Sequence, residues 1–190
     1  GRGSRVGSDV VRGWNVLYTP SNSNYNGVNG YIALTLQDVT TLPKQNTGTG
    51  ALEKYHQLRS VELSAATSIG EKAFHYCEAL TTASMPKATS IGDYTFFNCA
   101  ALTTVNMPMA TSIGSGAFSA CYALTKVSMP KVTSIGNYGF SGCNALTTAS
   151  MPQATSIGND AFNNCKALTT ASMPQATSLG SGAFYGCLAL

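Results

Sequence analysis

I-G-D-Y-T-F-F-N-C-A-A-L-T-T-V-N-M-P-M-A-T-S, residues 91–112, is one of a run of near copies, and its reading decides the fold. Cys77, Cys99, Cys121, Cys143, Cys165 and Cys187 each stand 22 residues from the next. Phe74, Phe96, Phe118, Phe140, Phe162 and Phe184 keep the same spacing, as do the leucines from Leu80 to Leu190. A fixed period of this length indicates stacked coils, one supersecondary unit per coil. One coil offers only about five sizeable inward groups, such as Ile91, Phe96, Cys99, Leu102 and Met107. Their burial does not offset the ordering of a whole coil, so single coils are unstable and the stack is obligatory.

Within residues 91–112 the segment around Thr104 alternates. Thr104 and Asn106 face one way, Val105 and Met107 the other, and Pro108 removes the next ladder donor. The pattern predicts a short half-buried strand here and at 80–85, 124–129, 146–151 and 168–173, stacked in parallel. Each coil continues through Ile-Gly, then Phe, then Cys. The i to i+3 spacing of Phe96 and Cys99 predicts a short 3-10 or helical turn with both groups inward. Gly92, Gly114, Gly136 and Gly158 mark places of positive φ or of close approach between coils. The expected architecture is a right-handed parallel β solenoid, with short strands on one face and 3-10 or short helical turns on the other.

The period fades toward the N-terminus. Twenty-two places before Cys77 stands Tyr55, and Leu52, Leu58 and Val61 match Phe74, Leu80 and Ala83. Residues 47–190 are therefore read as the array. Residues 1–46 are read as an N-terminal cap region, with Trp14 as a cap core residue, a loop over 20–30, and 1–4 as a tag scar or processed end. The array is read as truncated after Leu190, where another strand should begin. Its open last coil is expected to support self-association.

The chain has 190 residues and a formal net charge of +3, with only 10% charged residues. No block of Lys or Arg supports nucleic-acid binding. No apolar run approaches the ~18–20 residues of a bilayer-crossing helix. The six cysteines occupy one place in successive coils, so the reading is a column of buried reduced thiols rather than disulfides.

These motifs carry a resemblance. I-G-x-x-A-F-x-x-C-x-x-L-x-x-x-x-x-P, iterated over 69–190, resembles the BspA-like, or treponemal-type, leucine-rich repeat family. The resemblance implies a leucine-rich-repeat solenoid. It also implies an extracellular or cell-surface bacterial protein, secreted or anchored, that contacts host or neighbouring-cell protein or glycan. Ala83, Val105, Val127, Ala149 and Ala171 depart from the larger aliphatic usual in that motif, and Met stands before Pro.

The expected function is a non-enzymatic binding or adhesion module that uses an extended solenoid face. The alternative is a purely structural spacer, stalk or fibre segment, which near-identical coils would suit. The expected binding face comprises Arg59, Thr82, Ser84, Thr104, Asn106, Lys126, Ser128, Thr148, Ser150, Thr170 and Ser172. Tyr94, Tyr122, Tyr138 and Tyr185 are candidate aromatic contacts, because tyrosine combines large area with a polar tip. No catalytic residue, metal site or cofactor is expected. His56 and His75 have no metal-ligand spacing, and Asp93, Asp160, Glu71 and Glu78 read as isolated carboxylates.

Overall fold

The computed structural model describes residues 4–6, 9–11, 16–18, 32–36, 40–42 and 56–190. Tyr55, Trp14 and the 20–30 segment lie outside the described residues. The repeats form a parallel β solenoid, and each coil is named below by its cysteine.

On the strand face, Leu58–Leu63, Thr82–Ser84 and Thr104–Asn106 pair in parallel. Lys126–Ser128, Thr148–Ser150 and Thr170–Ser172 do the same. The register follows the period, with Thr104 opposite Thr82 and Thr148 opposite Lys126. A second parallel ladder, which the alternation did not predict, runs along the Ser-Ile positions. It holds seven strands from Thr41–Leu42 to Ser178–Leu179 without interruption. Both ladders reach below residue 47: Ile32–Leu36 pairs in parallel with Leu58–Leu63, and Thr41–Leu42 with Ser68–Ile69. Val16–Tyr18 then lies antiparallel to Ile32–Leu36, and Ser4–Val6 pairs with Asp9–Val11.

The turn face differs from the expected 3-10 helix. In the Cys99 coil, Phe97 and Cys99 donate their N–H groups three residues back, to Tyr94 and Phe96. Tyr94, Phe96 and Asn98 instead donate across, to Ser115, Ala117 and Ser119 of the next coil at 2.7–2.9 Å. Tyr94 and Asn98 hold φ of 54° and 55°, left-handed values that a 3-10 helix cannot contain. The result is a chain of tight turns in which N–H groups alternately close the turn and bind the neighbouring coil. A continuous 3-10 helix would spend all its donors internally and leave the coils unbonded along this face.

The core is a set of columns. Phe74, Phe96, Phe118, Phe140 and Phe162 are fully buried, and with Phe184 they stack at 5.1–5.2 Å with planes within 10°. Beside them the thiols are free, five buried and Cys187 half-buried. Each thiol from Cys99 to Cys187 donates to the carbonyl of the phenylalanine 25 residues earlier, as Cys121 Sγ does to Phe96 O at 3.2 Å. The thiol thus fits its place as a small apolar group with one weak donor. The Ile-Gly glycines answer to close approach: a Cβ on Gly136 would lie 2.6 Å from Ser115 N and 2.7 Å from Gly114 C.

Candidate functional site

Two faces lie outside this core. The strand face carries the expected hydroxyl columns. Thr82, Thr104, Asn106, Lys126, Ser128, Thr170 and Ser172 are exposed, whereas Arg59, Ser84, Thr148 and Ser150 are half-buried. The neighbouring threonine column bonds along the axis rather than outward. Thr81, Thr103, Thr147 and Thr169 Oγ1 donate to the carbonyl 22 residues earlier at 2.9–3.1 Å. A third hydroxyl row, overlooked in the sequence, runs from Thr67 through Thr89, Thr111, Thr133 and Thr155 to Thr177 and makes the same kind of bond. The iterated Ala-Thr-Ser was its available signal. These two rows satisfy solenoid carbonyls, which leaves the outward columns of Thr82 and Ser84 as the part of the strand face that meets other molecules.

The turn face is more varied. One column reads Lys72, Tyr94, Gly116, Tyr138, Asp160, Gly182, and another His75, Phe97, Ser119, Ser141, Asn163, Tyr185. Tyr94, Tyr122, Tyr138 and Tyr185 are all exposed. Tyr94 alone of the four joins a ring cluster. Its ring lies 5.9 Å from Phe97, which lies 5.0 Å from His75 and 5.6 Å from Tyr76. Tyr122, Tyr138 and Tyr185 make no ring contact with one another. Sequence spacing concealed the cluster because its members come from three different columns of two adjacent coils.

The charged groups are used locally. Glu78, read as isolated, lies 3.7 Å from His56 Nδ1 and accepts from Asn98 Nδ2 at 3.3 Å, joining three coils. The His56–Glu78 pair is exposed, and screening leaves such pairs about 0–1 kcal/mol. Asp93 Oδ1 accepts the Ser115 N–H at 2.7 Å, and Asp160 accepts from Asn163. Burial raises the thiol pKa of Cys99, Cys121 and Cys143, so these groups stay protonated and poorly nucleophilic at neutral pH. Among the described residues no group of three or more His, Cys, Asp or Glu is placed to hold a metal ion.

Parallel strands on one face, tight turns on the other and a single-file aromatic core define a leucine-rich-repeat solenoid. The chain belongs to the BspA-type leucine-rich repeat family, whose repeat region matches in 6 copies over residues 67–190. It is similar to the crystal structure of the T. pallidum leucine-rich repeat protein TpLRR, at 25% identity and a TM-score of 0.68, covering 93% of this chain and 87% of that one. A leucine-rich repeat protein from Eubacterium ventriosum aligns at 21% identity and TM-score 0.51, over 77% of this chain and 57% of that one. One from Bacteroides ovatus aligns at 20% and 0.51, over 87% and 54%. The last two likenesses concern the fold alone. No curated protein matches the chain.

Proposed function

We propose that this chain is a non-enzymatic binding and adhesion module of a bacterial surface or secreted protein, meeting host or neighbouring-cell protein or glycan. One observation carries the reading: the coils repeat their core but not their turn face. A pure spacer has no use for a local cluster of His75, Tyr76, Tyr94 and Phe97, whereas aromatic anchors dominate contact surfaces. The strand-face residues named above form the second contact surface of this reading. Residues 1–46 act as the cap region and 47–190 as the array.

The test is a surface-immobilised panel of extracellular-matrix proteins and glycans, probed with the chain and with a Tyr94→Ser/Phe97→Ser variant. Saturable binding to a panel member, weakened tenfold or more in the folded variant, is expected. Binding to none, or binding indifferent to the variant, would favour the spacer.

A further inference from the structure

The rings of His75, Tyr76, Tyr94 and Phe97 sit among charges of one sign. Within residues 56–190 the side-chain carboxylates are Glu62, Glu71, Glu78, Asp93 and Asp160. Glu71, Glu78 and Asp93 fall on the turn side of the same two coils as the rings, against one lysine, Lys72. Lys72 Nζ lies 3.7 Å from Glu71 Oε1, so those two balance each other. Glu78 and Asp93 are left over, and both are exposed. Glu78 meets the His56 imidazole and the Asn98 amide, and no lysine or arginine among the described residues. Asp93 Oδ1 accepts the Ser115 N–H at 2.7 Å, and the carboxylate meets no cation among the described residues.

The two carboxylates bracket the rings. Asp93 directly precedes Tyr94, while Glu78 follows Tyr76 by two places and bonds Asn98, which directly follows Phe97. Tyr76 and Tyr94 each stand at 71° to Phe97. Tyr94 is held from a second side by the next coil. A Cβ on Gly116 would lie 2.6 Å from Tyr94 Cδ1 and Cε1, so the ring rests on a backbone position that glycine alone leaves clear. Tyr94 is still 38% exposed.

A ring already fixed by packing loses little freedom when a ligand stacks on it. Its face carries the negative part of the ring quadrupole, and neighbouring carboxylates deepen that field. Both attract a cation. A guanidinium ion suits the pair of features best. It is planar, stacks on aromatic faces, forks onto carboxylate oxygens and is more weakly hydrated than an ammonium.

We propose that this part of the turn face binds an arginine side chain of a partner protein. Its guanidinium would stack on the Tyr94 ring, with Asp93 and Glu78 supplying the counter-charge. This rests on the binding-module reading and gives its ring cluster a ligand class.

The experiment is an NMR titration of the isotope-labelled chain with a capped Gly-Arg-Gly-Arg-Gly peptide. One control replaces arginine by citrulline, which keeps the shape and loses the charge. A second uses lysine, which keeps the charge and loses the plane. Saturable shifts at residues 75–78 and 93–98 are expected with the arginine peptide, with binding about tenfold weaker for citrulline and about threefold weaker for lysine. Asp93→Asn should weaken binding about threefold without disturbing the fold, because Asn137 and Asn159 already make the same bond in that column at 2.8 Å. Tyr94→Leu should weaken it about fivefold. Gly116→Ala, whose Cβ displaces the Tyr94 ring, should weaken it while the Phe140 and Phe162 amides keep their positions. Tyr122→Ser, at an exposed tyrosine outside the cluster, should change nothing. The proposal is overturned by no saturable shift at about 10 mM arginine peptide, by equal binding of the citrulline or lysine peptide, or by an equal loss in Tyr122→Ser and Tyr94→Leu. A failed titration beside ring-dependent panel binding removes the arginine assignment alone. A successful titration beside an empty panel upholds it and removes only the panel's partners.

Discussion

Replacing Phe118 by alanine tests the column packing where it is tightest. The ring is fully buried between Phe96 at 5.2 Å and Phe140 at 5.1 Å, so its loss strips one face from each neighbour. A buried Phe→Ala change costs about 3–5 kcal/mol. For a chain of this size that corresponds to a fall in Tm of roughly 6–20 °C. Phe184 provides the internal comparison, since it is half-buried and stacks on Phe162 alone, at 5.2 Å. Its replacement weakens one junction instead of two and should cost about half as much or less. The assay is thermal and urea unfolding of both variants by circular dichroism. Because the array is coupled only between neighbours, Phe118→Ala should also broaden the transition or split it in two. Equal losses for both variants, or a loss below about 1 kcal/mol at Phe118, would refute the view that each coil is its neighbours' core.

The buried thiols predict an alkaline instability. Their folded pKa values lie above the ordinary 9.0, chiefly through burial, so the stabilisation is complete below pH 9 and lost as pH rises above it. Unfolding should become easier by about 1.4 kcal/mol per pH unit for each such thiol, read as a falling urea midpoint between pH 8 and 10.5. Thiol labelling of the native chain should find Cys187 first and the five buried thiols only on denaturation, and five or six fast thiols would contradict the column. Cys121→Ala, which removes the donor to Phe96 O, should lower stability by about 1–2 kcal/mol in the same urea assay. Gly136→Ala should cost at least about 2 kcal/mol, because its Cβ meets backbone at 2.6 Å. Gly142→Ala should cost about 1 kcal/mol or less, since Ala120 already holds φ 60° in that column.

The period of Phe96, Cys99 and Leu102 was enough to read the stacking, the inward columns and the strand around Thr104. The second ladder escaped because Ser112–Ile113 is two residues long, too short for alternation to register. The turn side was legible only as tight. The i to i+3 spacing of Phe96 and Cys99 suits a 3-10 helix and a chain of turns equally. What decides between them is the left-handed backbone at Tyr94 and Asn98, and side-chain preference does not announce that for tyrosine. At the candidate site, Lys126 and Asn106 stand out in any listing of the hydroxyl columns. That they stand on either side of the one break in the strand-face ladder is a relation between coils that no single repeat contains.

The cross-coil bonds of the turn face have an electrical consequence. The peptide unit that accepts from Phe74 at Thr95 O donates through Phe96 N to Ala117 O, and the relay continues through Phe118, Phe140 and Phe162. Parallel relays start at Lys72 and Tyr76. All of these peptide dipoles point the same way, as they do along a helix and as they do not across an ordinary sheet. That side of the solenoid is thus polarised end to end, its positive pole toward the Cys187 coil, while the Thr89 and Gly92 columns, whose N–H groups bind the preceding coil, are polarised the opposite way.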